Sequence, residues 1–367
     1  MIIKLNKEDK KELLKLLDTK EVNMAVASMF MDYNTYIDVV DEKAMKRSKD
    51  EVNTYVNTFL DFFGISRRIK ENRDIIEKSI KPSIKKIDSK IIKEDPYYKT
   101  IKIDSIQDGD YFLGNIKYYP YQSFAYEDIE VKEEDYYREI SRIGYFDHEV
   151  PFLTISKDNI IWMSITPNET WTILPSIERS FGKVITFGLG LGYYPFMCAL
   201  KDDVEEVTIV EYDKNIIDLF TKHLLPLFKN KEKIKIIHAD AFKYCQEVDV
   251  NKSYDFAFMD IWHGGEDGLP FYLNFKKYLI DGIHCKHEYW LEESIIALFR
   301  RCFLTVIEEV LNGATSENFK YHENDLDIVI NDLYFYTQDL EITSYNQLHK
   351  LLSRESLIEM MEEMSRK

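Results

Sequence analysis

The middle of this chain predicts an α/β fold, with a parallel sheet and helices on both of its faces. Three observations carry that expectation. An apolar β-branched run, Val184-Ile185-Thr186-Phe187, opens directly onto three glycines spaced by two, Gly188, Gly190 and Gly192. Further apolar runs at 207–210, 234–237 and 254–259 end in carboxylates: Glu211 and Asp213, Asp240, and Asp260. Between them lie helical patterns; across 215–228, Ile216, Leu219, Phe220 and Leu224 fall on one stripe. Near-continuous apolar strands joined by helices are the signature of parallel pairing with both sheet faces covered.

The remaining elements follow in chain order. Residues 1–96 read as a helical region, in which Ser48-Lys49-Asp50-Glu51 is a capping-box start for a helix through Phe63. Asp95-Pro96 breaks that region. Residues 97–149 form a small antiparallel β region, on the strength of Tyr111-Phe112-Leu113 and Ile116-Lys117-Tyr118-Tyr119. The central domain, 150–290, begins with a hairpin of Phe152-Leu153-Thr154-Ile155 and Ile160-Ile161-Trp162-Met163 around a turn at 156–159. Gly282-Ile283-His284-Cys285 suits a short fifth strand, and Trp290-Leu291-Glu292-Glu293-Ser294 starts a helix. Residues 291–367 are a C-terminal helical extension.

Composition narrows the partners. The 48 basic and 65 acidic residues leave a net charge of −17, a surface that repels phosphate backbones, so no nucleic acid partner is expected. The Lys-rich stretch 67–93 is interleaved with acids and reads as a solvated helix face. A hydrophobic share of 45% with 14% aromatics supports a full core. No apolar run approaches about 18 residues, so no membrane partner is expected. The start lacks the apolar block of a signal peptide. Cys198, Cys245, Cys285 and Cys302 show no paired spacing, which suits a reducing compartment and a cytoplasmic protein.

A bend without side chains at a strand end implies close approach to the backbone, by a ligand or by the chain itself in a tight turn. Glu211 lies 21 positions after Gly190 (211 minus 190). A carboxylate about 20 residues on takes ribose hydroxyls in nucleotide-binding βαβ units, since it accepts hydrogen bonds and donates none. Tyr193 stands where a pyrophosphate-binding turn wants its third glycine, and no Gly-Lys-Ser/Thr loop occurs.

With Val210-Glu211-Tyr212-Asp213 closing the second strand, the pattern resembles class I S-adenosylmethionine-dependent methyltransferases. Within them it is most similar to the branch that shares its fold with spermidine synthases. The resemblance covers about residues 150 to 280. It implies a Rossmann-like sheet of order 3-2-1-4-5 and S-adenosylmethionine as cofactor. It further implies that Gly188, Gly190 and Gly192 pass under the methionine and ribose, and that Glu211 holds the ribose hydroxyls beside Tyr212 at the adenine. Asp240 would accept from the adenine amino group and the Ala241 amide would donate to a ring nitrogen. Asp240 equally suits an N-cap for a helix from Ala241. One departure is Thr186, where many methyltransferases, though not spermidine synthases, carry an acid.

Ligands of such sheets sit over the carboxyl ends of the first and fourth strands. That puts Asp260 beside the glycine loop, followed by a polar loop, 261–270, with three more glycines. Methyl transfer needs an aligned nucleophile and a group to take its proton. His263 is the natural base, and Asp260 would orient it or bind a cationic substrate. The plainer alternatives are an exposed loop histidine and a strand-end residue capping its loop. Tyr193, Tyr194 and Trp262 would face the cofactor cation or form pocket wall. Glu169 and Trp171 border the pocket. His284-x-x-His287 with Cys285 lacks a second cluster, so no metal site is expected.

The expected function is methyl transfer to a small molecule or a protein side chain. Its rivals are a spermidine synthase-like aminopropyltransferase, using the decarboxylated cofactor, and a non-catalytic nucleotide-binding or scaffold protein on the same fold. The helical flanks suit a pocket cover or a homodimer contact.

Overall fold

The computed structural model describes residues 1–36, 40–158, 160–279, 284–315, 319 and 324–366. The chain opens with a long helix, α1 (Lys7–Asn34), N-capped by Asn6, whose side chain accepts from the Glu8 and Asp9 amides. A shorter helix, α2 (Glu51–Phe62), follows. Asp50 caps it, accepting from the Asn53 amide, while Ser48, the expected cap, bonds Thr54 instead. Asp is at least as good a cap as Ser, so the start moves two residues along. Val26, Phe30 and Tyr33 of α1 and Tyr55 and Phe59 of α2 meet Tyr145 in a buried aromatic cluster.

Four strands then form an antiparallel sheet: β1 (Ile106–Asp108), β2 (Tyr111–Tyr118), β3 (Val150–Lys157) and β4 (Ile160–Ser164), in the order β4-β3-β2-β1. The hairpin read from residues 152–163 is β3 and β4. β3 also pairs along its whole length with β2. This sheet therefore runs across residue 150, where the sequence suggested a division.

A short helix, α3 (Pro167–Trp171), leads to the central strand β5 (Gly182–Phe187). The chain continues as α4 (Tyr193–Ala199), β6 (Val204–Glu211), α5 (Lys214–Leu219), β7 (Ile234–His238) and α6 (Ala241–Glu247). It then runs through β8 (Phe256–Met259), α7 (Gly265–Tyr278) and β9 (Lys286–Tyr289). The five strands pair in parallel in the order β7-β6-β5-β8-β9. Val184, Ile185 and Phe187 and all four residues of β8 are buried, which is why these strands read as unbroken apolar runs.

Two elements of this part of the chain also differ from the sequence reading. The helix expected over 215–228 is regular only to Leu219 and then widens into a π-turn at Phe220–Leu224. Ile216, Leu219, Phe220 and Leu224 are nonetheless all buried. The fifth strand is Lys286–Tyr289 rather than residues 282–285, of which 282 and 283 lie outside the described residues. An edge strand carries polar residues on its open side, here with Glu288 paired to Arg179, so it lacks the apolar signature.

Helices α8 (Glu292–Leu311), α9 (Asp325–Tyr336) and α10 (Arg354–Ser365) pack on α7. Their buried residues, including Phe299, Phe303 and Leu333, belong to the same apolar core as the parallel sheet. Ile2–Ile3 pairs in parallel with Glu341–Ile342, tying the start of the chain to this C-terminal layer. Among the described residues no helix is long and apolar enough to cross a membrane.

Candidate functional site

A cavity of about 490 Å³ opens over the carboxyl ends of β5, β6, β7 and β8. Its floor is the glycine loop. At Gly188 the backbone turns with φ of 100°, and a Cβ there would sit 2.0 Å from the Asp260 carbonyl oxygen. The ends of β5 and β8 approach so closely that only glycine fits. Gly190 has φ of 53°, and the nearest atom to a Cβ would be Met163 Sδ at 3.9 Å. The space above Gly190 is open to the cavity.

Gly192 does a different job from the one the resemblance gave it. It is not among the cavity-lining residues, and a Cβ there would lie 2.3 Å from the Phe220 ring. It lets α4 pack on the π-turn behind the loop. Two buried hydroxyls brace the loop from the same side: Tyr97 donates to the Leu191 carbonyl at 2.6 Å, and Tyr193 donates to Asp95 Oδ2 at 2.6 Å. Asp95 also caps the turn Pro96–Thr100. The Asp-Pro signal therefore marks a support of the loop as well as a break in the chain.

Glu211 ends β6 at the cavity lip. Its Oε2 accepts the Leu189 amide at 3.0 Å and its Oε1 accepts the Asp213 amide at 2.7 Å. Two backbone donors thus fix the plane of the carboxylate, and each oxygen retains capacity for a further hydrogen bond. Tyr212 lines the cavity with a ring that is 74% exposed. Asp240 and Ala241 line the next part of the wall. Asp240 Oδ1 caps α6 by accepting the Lys243 amide at 2.9 Å, which leaves Oδ2 for another partner.

Asp260 and Glu169 also line the cavity. Burial raises the Asp260 carboxyl well above the usual carboxylate range, and the nearby charge of Glu169 adds to the rise. Burial also lifts Glu169 to about 7, partly opposed by His263. Neither side chain has a hydrogen bond or ion pair among the described residues. Glu169 was legible in the sequence only as a pocket border; what brings it here is the placement of α3, which packs on the strand Ser123–Ala125. Trp171, its expected companion, instead packs on Tyr126 and is not in the lining.

His263 sits at the rim. Its side chain is 86% exposed, with Nδ1 3.1 Å from Asp267 Oδ2. Tyr193 and Tyr194 are buried wall, the latter's hydroxyl against Ser176, and Trp262 donates from Nε1 to the Trp290 carbonyl. Thr186 is buried in the lining, with no acid in its place. Of the residues expected at the site, Gly188, Gly190, Glu211, Tyr212, Asp240, Ala241, Asp260 and His263 share one cavity, and Gly192 lies behind it. Among the described residues, no group of three or more His, Cys, Asp or Glu is placed to hold a metal ion.

No protein-family profile matches the chain, and no curated protein does. Among solved structures it is similar to a spermidine synthase from Thermotoga maritima, at 16% identity and a TM-score of 0.30, covering 42% of this chain and 58% of that one. A spermidine synthase in complex with the transition state analogue AdoDATO is similar at 15% identity and a TM-score of 0.30, covering 50% and 70%. A protein assigned as an O-methyltransferase from Klebsiella pneumoniae is similar at 14% identity and a TM-score of 0.25, covering 43% and 61%.

Proposed function

We propose that this protein is an S-adenosylmethionine-dependent methyltransferase acting on a small molecule or a protein side chain. The observation that carries the reading is Glu211: a strand-end carboxylate, aimed by the Leu189 and Asp213 amides, beside a bend with open space above Gly190. Such an acceptor set fits an adenosyl group. Glu211 would accept the ribose hydroxyls, Asp240 Oδ2 would accept the adenine amino group, and Ala241 would meet the ring edge. When bound, the cofactor would supply an activated methyl group. This chain would orient the acceptor beside Asp260 and take up its proton there.

A second reading is favoured by one feature. The lining carries four carboxyls (Glu169, Glu211, Asp240, Asp260), His263 as its basic side chain, and no Lys or Arg. Such a cavity offers no cation for the carboxylate of S-adenosylmethionine, and would suit its decarboxylated form and aminopropyl transfer. Titration calorimetry with S-adenosylmethionine, its decarboxylated form and NAD separates the readings. Micromolar binding of the first and negligible binding of NAD is expected. Preference for the decarboxylated form would favour the second reading, and tight NAD binding would refute both. Binding without turnover of any acceptor in cell extract would favour a scaffold.

A further inference from the structure

A second cavity, of about 460 Å³, shares no lining residue with the first. It forms where the short helix Lys90–Glu94 and the stretch 101–104 meet the start of β3, and its size is that of a small-molecule site. Buried Ile92, Ile101, Val150 and Leu153 line it together with Tyr98, which gives it an apolar floor. Asn115 of β2 donates to the Ile103 and Asp104 carbonyls at 3.0 and 3.3 Å, and so fixes the stretch 101–104 as one wall. The rim is charged. Glu149 is answered by Lys117 at 2.9 Å, and His148 is engaged by Asp147 and Ser89. Lys93, Lys102 and Asp104 are exposed and have no ion pair among the described residues. Two free ammonium groups against one free carboxylate leave this rim a net single positive charge, in a chain of net charge −17.

The floor is also a wall of the first cavity. The Tyr98 hydroxyl donates to the Ile165 carbonyl, and the Ile165 amide donates to the Leu153 carbonyl at 2.8 Å. Ile165 lines the first cavity, so both backbone groups of that residue are held by residues that line the second. The neighbour of Tyr98, Tyr97, holds the Leu191 carbonyl of the glycine loop.

We propose that this cavity is a second ligand site, taking a carboxylic acid with an apolar body that rests on the wall shared with the first cavity. Lys93 and Lys102 answer the carboxylate, and the floor takes the body. A single carboxylate matches the net charge of the rim, whereas a phosphate monoester brings nearly two charges. An amine of the same shape meets two like charges, and an alcohol gains only the contact with the floor. Ion pairs this exposed are individually weak, so the apolar body carries most of the affinity, roughly fourfold for each further methylene buried. A body seated on Tyr98 and Leu153 stiffens the residues that hold Ile165, so occupancy is felt at the first cavity. The site is independent of the transfer reading above, since it uses none of the residues on which that reading stands.

Calorimetry at pH 7.5 on the full chain tests this with octanoate, hexanoate, 1-octanol, octylamine and octyl phosphate. Octanoate should bind roughly tenfold tighter than hexanoate and at least fivefold tighter than 1-octanol or octylamine. Lys93→Glu together with Lys102→Glu should weaken octanoate at least tenfold, and the milder Lys93→Gln with Lys102→Gln at least threefold. Both double variants should keep the parent's melting temperature within about 2 °C, because the two side chains are exposed. Hydrogen exchange then reads the place of binding: saturating octanoate should slow the Ile165 amide at least threefold. The inference is overturned if 1-octanol or octylamine binds as tightly as octanoate, or if octyl phosphate outbinds it. It is equally overturned if the folded double variants hold octanoate like the parent, or if the Ile165 amide is unchanged at saturation.

Discussion

Replacing Glu169 by Gln should stabilise the protein above neutral pH and not in mild acid. Burial raises the folded-state carboxyl from an ordinary value of 4.5 to about 7. Between those values the folded chain binds a proton that the unfolded chain has released, so unfolding free energy falls as pH rises. The contribution is fully favourable below about 4.5, declines through the interval, and is lost above 7. The shift corresponds to about 3 kcal/mol, an upper figure because water in the cavity screens part of the charge. Gln keeps the shape and removes the titration. Urea unfolding of parent and Glu169→Gln at several pH values from 4.5 to 8 should therefore give curves that diverge with pH, the variant ending about 2–3 kcal/mol more stable relative to its mild-acid offset. A constant difference across the range would show that Glu169 is ionised and solvated, and the cavity argument built on it would fail.

Other outcomes follow from the same geometry. Glu211→Ala should weaken S-adenosylmethionine at least 100-fold by calorimetry, since it removes two charge-assisted hydrogen bonds of about 1.5–3 kcal/mol each; Glu211→Gln should lose less. Gly188→Ala, with its Cβ 2.0 Å from the Asp260 carbonyl, should cost roughly 3 kcal/mol or more in denaturation. Gly190→Ala should cost only about 1–2 kcal/mol through its positive φ, yet impair cofactor binding because the methyl enters the cavity. His263→Ala should change stability by less than about 0.5 kcal/mol, as expected of a side chain this exposed. A hundredfold loss of turnover in that variant would support His263 as the base, and unchanged turnover would remove it from that role.

The parts of the site that were legible in sequence are local. Gly188 and Gly190, Glu211, Asp240 and Asp260 all lie at or just past strand ends, and a parallel sheet gathers such ends on one edge whatever else surrounds it. Periodicity and strand-end punctuation therefore located them from neighbours a few residues away. Asp240 shows the limit of that reading: the cap and the cavity position coexist in one side chain, with one oxygen on Lys243 and the other free.

Other features depended on contacts that no local pattern encodes. Gly192 meets Phe220 because a π-turn swings that ring under α4. Tyr97 and Asp95 reach the loop across nearly a hundred residues of chain. Glu169 acquires its raised pKa, and His263 its exposure, only when α3 and the loop after β8 take their places around the cavity. By itself, then, the sequence determined the parallel sheet and the carboxylates at its strand ends, because backbone geometry and apolar spacing act over short range. Which carboxyl has a raised pKa and which imidazole stands in water were decided by tertiary packing, because solvation depends on everything nearby and not on the neighbours in the chain.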